Sequence, residues 1–266
     1  MINVPEQKYH DWFFNQVAHA RERLLLADYD GALAPFSTDR GLASPFPGVC
    51  DLLKCVMQWR TRLIAISARP AHEVEFLLGM QPAPEIWGND GLEHLHPGGR
   101  YECGELNAPL EVLRALAECE LRLEREGLKY RVDVKLTGVT VHWRGLTPFE
   151  KLATRTAAYR VLQPLTFIYK QLRLVTIEEG VELRLPVASK ADAVQCLLDA
   201  TPPDVPVAYL GHSVANEDIF RALNDRGLTV LVKPVPRFTA AQMRLRPPDE
   251  LVRFLKDWIS ACAGDI

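Results

Sequence analysis

The sequence predicts an α/β fold, with a core of parallel strands and helices on both faces and an inserted cap domain. Two observations indicate this fold. Short apolar runs alternate with segments of helical periodicity over residues 9–88 and again over 190–233, which is typical of a parallel sheet with crossover helices. Between them, residues 104–181 contain runs with the period-2 alternation of antiparallel hairpins. We therefore predict a core formed by residues 1–103 and 182–266 and a cap formed by residues 104–181.

The individual elements follow from the spacing of the apolar residues. Positions at helical spacing, such as Trp12, Phe13 and Val17, predict helices, whereas short continuous apolar runs such as 24–27 predict buried strands. In the core, helices are predicted over 9–23, 49–60, 71–78, 190–199 and 216–224, and strands over 23–27, 62–66, 85–88, 205–210 and 229–233. In the cap, helices are predicted over 106–126 and 147–162, and strands over 130–135, 138–143 and 173–177. A further strand is predicted over 181–185, at the junction of the cap and the core.

The composition narrows the class of protein. The chain has 266 residues, 48% of them hydrophobic, and Lys+Arg 31 against Asp+Glu 34 give a net charge of -3. This balance argues against binding to nucleic acid or to an anionic membrane surface. The polar N-terminus carries no apolar signal segment, and no apolar run is long enough to span a bilayer. We therefore expect a cytoplasmic monomer without nucleic-acid or membrane partners. The six scattered cysteines, with no C-x-x-C pair, predict reduced thiols.

Candidate catalytic groups follow the predicted strands. Asp28 and Asp30 come directly after the first strand, and Ser67 comes directly after the second. A loop that begins at Gly211 follows a later strand, and Lys190 begins a helix. Ligands bind at the carboxyl ends of the strands in open α/β sheets, so we expect these groups to converge on one site.

These residue types suit phosphoryl transfer through an aspartate. Asp28 can attack phosphorus, and Asp30 can protonate the leaving alcohol and then activate water. Ser67 can donate a hydrogen bond to a phosphate oxygen, and Lys190 adds a positive charge. Each residue alone has a structural interpretation, because Asp-x-Asp-Gly is an ordinary turn sequence and a Ser or Lys at a helix start can be a cap or a surface residue. Their common order at strand ends favours a phosphatase site over coincidence.

The segments around these residues resemble the trehalose-6-phosphate phosphatase family of the haloacid dehalogenase superfamily. Residues 26–35, LADYDGALAP, resemble its first motif, which continues as DGTLAP. The other similar segments are 66–69 (ISAR, for SGR), 88–93 (GNDGLE, for GNHGxE), 133–135 (DVK, for ExK), 142–144 (HWR, for HxR), 181–190 (VELRLPVASK, for xEIRP…xxK) and 211–220 (GHSVANEDIF, for GDDxTDEDAF). The resemblance covers residues 20–255 in the family's order and spacing.

This resemblance implies a Rossmann-like haloacid dehalogenase core with an inserted α/β cap. It implies conversion of trehalose 6-phosphate to trehalose and phosphate through an aspartyl phosphate, with Mg2+ as cofactor. It implies that Asp28 is the nucleophile, that Asp30 is the acid and base, and that Ser67 and Lys190 bind phosphate. The implied substrate-binding residues are Arg69, Asn89, Lys135, Arg144 and Glu182. The implied metal ligands are Asp28, Asp30, His212, Asn216 and Glu217. A sugar phosphate is the expected small-molecule partner, and a trehalose-6-phosphate synthase is a candidate protein partner.

The metal-binding segment departs from the family pattern. His212 and Ser213 stand where the family has two adjacent aspartates, and Ala215 and Asn216 stand where it has Thr and Asp. Mg2+ prefers oxygen ligands, so its affinity should fall, whereas a histidine suits Mn2+ or Co2+ better. The other departures are Ala32 for Thr, Asp90 for His, Asp133 for Glu and Glu178 for Lys. The carboxylates of Asp90 and Glu178, which replace a His and a Lys, would repel a sugar phosphate.

Three hypotheses remain open from the sequence. The first is an active phosphatase that tolerates the exchanges, with Glu217 or Asp218 as the remaining metal ligand. The second is a phosphatase with a changed substrate or metal. The third is a degenerate, non-catalytic domain that binds a sugar phosphate or a partner synthase. The intact Asp28 and Lys190 favour catalysis, whereas the exchanged metal-binding segment favours the third hypothesis.

Overall fold

The computed structural model describes residues 4–36, 41, 43–177, 179–186 and 189–264. Glu178, one of the departures from the family pattern, lies outside the described residues. The chain divides into two compact units, of which the first comprises Met1–Cys103 with Lys190–Ile266 and the second comprises Gly104–Ser189. No helix among the described residues is both long enough and apolar enough to cross a membrane.

The first unit is built on an eight-stranded sheet, numbered here along the whole chain. Its strands are β1 (Arg23–Asp28), β2 (Thr61–Ile66), β3 (Glu85–Gly88), β4 (Glu93–Leu95), β5 (Tyr101–Cys103), β10 (Val207–Gly211), β11 (Leu228–Val232) and β12 (Met243–Leu245). They lie in the order β12-β11-β10-β1-β2-β3-β4-β5. The pairs from β12 to β3 are parallel, and β4 and β5 extend the sheet as an antiparallel hairpin. The fully buried β1 therefore lies in the middle, between β10 and β2.

Helices cover both faces of this sheet because the side chains of a strand alternate between its faces. The helices of the unit are α1 (Val4–His19), α2 (Val49–Gln58), α3 (Ala71–Leu78), α6 (Lys190–Asp199), α7 (Glu217–Leu223) and α8 (Asp249–Ala263). Leu25 and Ala27 pack in a cluster with residues of α1, α2, α3 and α8. Leu24 and Leu26 pack in a second cluster with residues of α6 and α7. The central strand is thus enclosed on both sides, and its carboxyl end leads to the polar groups of the candidate site.

The second unit has its own four-stranded antiparallel sheet and two helices. Its elements are α4 (Leu110–Arg125), β6 (Val132–Lys135), β7 (Gly138–His142), α5 (Pro148–Ile168), β8 (Arg173–Ile177) and β9 (Gly180–Arg184). The strands lie in the order β6-β7-β9-β8. Val139 and Val141 of β7 pack with buried residues of both helices in a separate hydrophobic cluster. Thr147 and Glu150 form a capping box at the start of α5.

The predicted α/β core with an inserted α/β cap is confirmed in its architecture. The structure places the second boundary of the cap after Ser189 instead of 181. The reason is that β9 pairs with both β7 and β8 over its whole length, so a boundary at 181 would divide one strand. The strands β4, β5 and β12 and the helix α8 were not predicted from the sequence. The first three have only three residues each, which is too few for a visible period.

Candidate active site

Asp28, the last residue of β1, is held by two donors. Its side chain is 2% exposed. Its Oδ1 accepts a hydrogen bond from Lys190 Nζ at 3.0 Å and another from the Tyr209 hydroxyl at 2.8 Å. Within the described part of the chain, no side chain or backbone N–H donates to Oδ2. The carboxylate is therefore fixed through one oxygen, while the other retains its lone pairs.

The two donors keep their protons at neutral pH. Burial alone would lower the pKa of Lys190, but the charges of Asp28 and Asp90 outweigh it and raise that pKa. Burial and the Asp28 charge raise the pKa of Tyr209 well above its ordinary value. A protonated amine and a neutral phenol therefore face the same carboxylate oxygen. Asp90, one of the departures from the family pattern, lies close enough to add negative charge beside Lys190.

Asp30 is paired with Arg69 through both of its carboxylate oxygens. Arg69 Nε donates to Oδ2 at 2.8 Å and a terminal nitrogen of the guanidinium donates to Oδ1 at 2.7 Å. The guanidinium also donates to Glu73 on α3 and is 1% exposed. Its hydrogen bonds with both carboxylates offset its burial and raise the pKa of Arg69. The predicted substrate-binding Arg69 thus holds the predicted acid and base.

Ser67 and Asn89 lie in the turns that follow β2 and β3. The backbone N–H of Arg69 donates to Ser67 Oγ at 3.1 Å, and the N–H of Asp90 donates to the Ser67 carbonyl at 2.9 Å. Asn89 Nδ2 donates to Glu93 at 2.7 Å, while its buried Oδ1 has no partner among the described residues. Asn89 and Asp90 both have positive φ, 47° and 57°. This turn therefore holds a strained backbone and one unsatisfied acceptor beside Ser67.

The predicted metal-binding loop is closed by its own hydrogen bonds. Asn216 Oδ1 accepts from the backbone N–H groups of His212 and Ser213 at 3.0 and 2.6 Å and from the Ser213 hydroxyl at 3.0 Å. Asn216 Nδ2 donates to the Tyr209 hydroxyl at 2.8 Å. A chain of bonds thus runs from this loop through Tyr209 to Asp28.

The His212 ring is fixed against the first motif. Its Nδ1 donates to the Val232 carbonyl at 3.1 Å, and the ring stacks on Phe36 with centroids 5.4 Å apart. A Cβ at Gly31 would lie 2.2 Å from His212 Cγ, so the absence of a side chain at Gly31 makes room for the imidazole.

Glu217 is occupied elsewhere. Its carboxylate accepts from the Arg237 guanidinium and, at 2.7 Å, from the backbone N–H of Ala240. Burial would raise the pKa of Glu217, but these bonds outweigh it and lower the pKa. Asp218 is 84% exposed and pairs with Arg221. Neither carboxylate therefore replaces the aspartates missing from this loop.

The predicted metal-binding side chains fit a magnesium ion poorly. Mg2+ requires several oxygen ligands in near-octahedral geometry. Both oxygens of Asp30 accept from Arg69, Asn216 Oδ1 accepts three hydrogen bonds, and the Glu217 carboxylate is paired with Arg237. His212 offers nitrogen. Binding of Mn2+ or Co2+ at His212 stays a prediction.

The predicted substrate-binding residues of the cap have partners inside the second unit. Lys135 Nζ donates to Glu182 at 2.7 Å, and these side chains are only 8% and 5% exposed. Asp133 lies 2.5 Å from His142 Nε2, and an Arg144 terminal nitrogen lies 2.9 Å from His142 Nδ1. The Asp133 carboxylate, which stands where the family has Glu, is therefore partnered by His142. Binding of a sugar by these side chains stays a prediction.

Sequence reasoning missed Tyr209 and the role of Asn216 as its partner. A tyrosine in a buried strand is usually a core residue, and its contact with Asp28 spans 181 positions of the chain. The available signal was its place two residues before Gly211, because period-2 alternation gives Tyr209 and Gly211 the same face of the strand.

Comparisons with known proteins agree with this architecture. The family profile described as trehalose-phosphatase matches residues 26–249. Probable trehalose-phosphate phosphatase 2 of Oryza sativa subsp. japonica is 33% identical over 272 residues, covering 90% of this chain and 69% of the rice protein. Trehalose-phosphate phosphatase of Mycobacterium marinum is 26% identical over 239 residues, covering 85% of this chain and 59% of the mycobacterial protein. The chain thus spans less than two thirds of that relative's length.

Solved structures show the same fold. The C-terminal domain of C. albicans trehalose-6-phosphate phosphatase superposes with a TM-score of 0.75 at 18% sequence identity, covering 96% of this chain and 97% of that domain. The predicted haloacid dehalogenase-type core with a cap is confirmed by this likeness and by that to haloacid dehalogenase-like hydrolases. Because the family profile covers most of the sequence, the chain belongs to the trehalose-phosphatase family.

Proposed function

We propose that this chain hydrolyses a sugar phosphate monoester, with trehalose 6-phosphate as the substrate, through a phosphorylated Asp28. Family membership supports the substrate class. The observation that carries the proposal is the state of Asp28, a buried carboxylate whose Oδ1 accepts from Lys190 and Tyr209. Its Oδ2 is oriented by these bonds and retains the lone pairs that a nucleophile needs.

The reaction would proceed in two displacements. Asp28 Oδ2 attacks phosphorus, the bond from phosphorus to the sugar oxygen breaks, and that oxygen takes a proton from the Asp30 carboxyl. Water then attacks the phosphorus of the aspartyl phosphate and gives its proton to Asp30. The bond from phosphorus to Asp28 breaks, so phosphate is released and the Asp28 carboxylate is restored. The Lys190 ammonium lies on the opposite oxygen of the nucleophile and offsets the charge of the phosphoryl group.

The ion pair between Asp30 and Arg69 favours the second displacement and disfavours the first. A carboxylate held by two charge-assisted hydrogen bonds is stabilised in its ionised form. This suits Asp30 as the base of the second displacement and opposes its role as the acid of the first. We therefore propose that protonation of the leaving alcohol limits the rate. A slow first displacement would also follow from the poor fit of the site to Mg2+.

The alternative is a domain that binds a sugar phosphate without turning it over. Two observations favour it, namely the pairing of Asp30 with Arg69 and the internal hydrogen bonds of Asn216. Such a domain would retain Lys190 as a charge for the phosphate. It would show saturable binding with no release of product.

Phosphate release distinguishes these functions. We would assay the purified chain and its Asp28→Asn variant with trehalose 6-phosphate and with glucose 6-phosphate, each in EDTA, Mg2+, Mn2+ and Co2+. The proposal expects phosphate release from trehalose 6-phosphate that the Asp28→Asn variant lacks, with unchanged circular dichroism. Binding of trehalose 6-phosphate by calorimetry, without release in any metal, would support the binding domain instead. The synthase partner, the monomeric state and the cytoplasmic location stay predictions.

A further inference from the structure

A histidine pair and a carboxylate lie together on the β4–β5 hairpin. His94 is on β4, His96 follows two residues later, and Glu102 on β5 is the register partner of His94. One ligand atom from each of these three side chains lies within 4.8 Å of the other two. The His94 and His96 ring centroids are 3.6 Å apart, and His96 Nε2 is 3.3 Å from Glu102. The hairpin thus holds three possible metal ligands close together, one on β4, one directly after β4 and one on β5.

His94 is oriented by a carboxylate behind it. Its Nε2 lies 2.7 Å from Glu85, whose side chain is 4% exposed. Glu85 also accepts from Arg62 at 2.7 and 2.8 Å and from the Trp87 indole at 2.9 Å. These donors keep Glu85 an acceptor, so His94 donates through Nε2 and keeps the lone pair of its Nδ1. A histidine held by a carboxylate in this way is the usual arrangement of a metal-binding histidine.

Arg100 occupies the position of a competing cation. Its terminal nitrogen lies 3.1 Å from His96 Nε2 and 3.4 Å from Glu102. The Arg100 side chain is 70% exposed, so it can leave for solvent when an ion of higher charge takes its place. Because His96 and Glu102 already attract a guanidinium, the local charge at these side chains favours a cation.

We propose that His94, His96 and Glu102 bind one divalent transition-metal ion of the Zn2+ class, with water in the fourth position. Two imidazole nitrogens and one carboxylate oxygen suit Zn2+, Ni2+ or Cu2+ and do not suit Mg2+. The site is separate from Asp28, because its ligands come from β4 and β5 at one edge of the sheet while Asp28 ends the central strand. A bound ion would tie together the last two strands of the sheet.

Trp87 provides a direct optical readout. Its ring centroid is 4.7 Å from that of His94, so a paramagnetic ion at His94 should quench its fluorescence. We would titrate the untagged full-length chain, stripped with EDTA, with Ni2+ while following tryptophan emission. Zn2+ affinity and stoichiometry would be measured by competition with a chromophoric chelator. We expect one equivalent of Zn2+ per chain and quenching that the Trp87→Phe variant lacks.

The variants separate this site from the other histidines. His96→Ala and the conservative Glu102→Gln should each weaken Zn2+ at least about tenfold, and Arg100→Ala should tighten it by removal of the competing charge. His72→Ala is the matched control, since His72 is an exposed histidine 3.2 Å from Glu75, and it should leave the affinity unchanged. The proposal would be overturned if His96→Ala and Glu102→Gln bound Zn2+ as tightly as the parent chain. It would also be overturned if the parent chain showed no saturable binding of one Zn2+.

Discussion

The guanidinium of Arg69 binds both carboxylate oxygens of Asp30, with Nε at 2.8 Å from one and a terminal nitrogen at 2.7 Å from the other. This pair joins the loop after β1 to the loop after β2. It also fixes the orientation of the only carboxylate that follows Asp28 in the first motif. The same side chain therefore bears on the stability of the fold and on proton transfer.

Replacement of Arg69 by methionine should destabilise the protein. Asp30 and Glu73 would lose their shared partner, and because their side chains are 24% and 36% exposed we expect a loss of about 1–3 kcal/mol. Urea denaturation would measure this loss. The double variant Arg69→Met with Asp30→Asn should recover part of it, because one of the two abandoned charges is gone. A free energy of unfolding within ~0.5 kcal/mol of the parent chain for Arg69→Met would contradict this account.

Replacement of Tyr209 by phenylalanine should lower turnover and stability together. The variant removes a donor from Asp28 and the acceptor of Asn216 Nδ2. We expect the free energy of unfolding to fall by about 1–3 kcal/mol, because a buried donor is left unsatisfied. Any phosphatase turnover should fall about tenfold, since one hydrogen bond that orients the nucleophile is lost.

The matched control for this variant is Tyr159→Phe. Tyr159 is half-buried against the hydrophobic cluster of the second unit, and its hydroxyl lies 3.4 Å from Thr176 in an exposed contact, so loss of that hydroxyl should change neither quantity. Equal effects of the two variants would show that the hydroxyl of Tyr209 has no special part in the site.

Aspartates at positions 212 and 213 should raise the affinity for Mg2+. The double variant His212→Asp with Ser213→Asp restores the two carboxylates of the family pattern and adds two negative charges beside Asp28. Isothermal titration with MgCl2 measures the change against the parent chain. If Mg2+ affinity does not increase, the weak fit of the parent site has another cause than the missing carboxylates.

Glu217 should make the fold sensitive to acid. Its pKa is lowered from 4.5 in the folded chain, so its ionised form stabilises the fold above that pH. This contribution is lost as the pH falls through the lowered value. The Glu217→Gln variant should be less stable than the parent by about 1–3 kcal/mol at pH 7, and the gap should narrow below pH 4.5. Asp218→Asn, at an 84% exposed neighbour, is the control, and its thermal unfolding curve at pH 7 should match that of the parent chain.

The sequence predicts the interior strands and helices because their buried faces give the apolar residues a regular spacing. The ends of these elements are predicted less accurately. The first helix is predicted over 9–23 and extends over Val4–His19, since few apolar residues mark its first turn. The strand Tyr101–Cys103 escapes prediction because all three of its side chains are exposed. An edge strand with a polar surface has no alternation that distinguishes it from a loop.

The candidate site divides in the same way. Asp28 and Lys190 could be placed together because each stands at the end of an element with a clear pattern, and the structure joins them at 3.0 Å. The pairing of Asp30 with Arg69 and the bonds of Asn216 could not be predicted. Each of these side chains has several possible hydrogen-bond partners nearby. The spacing of residues in the sequence does not determine which partner it takes.

The position of β1 has a consequence for the synthesis of this protein. Leu24 pairs on one side with Arg62, yet on the other side with Val207, after the whole second unit has been made. A ribosome that adds about 5–20 residues per second needs on the order of tens of seconds to cover that interval. During this time the backbone groups along one edge of β1 lack their partner strand and can pair with another chain. Nascent chains of this protein should therefore depend on chaperones until β10 has emerged.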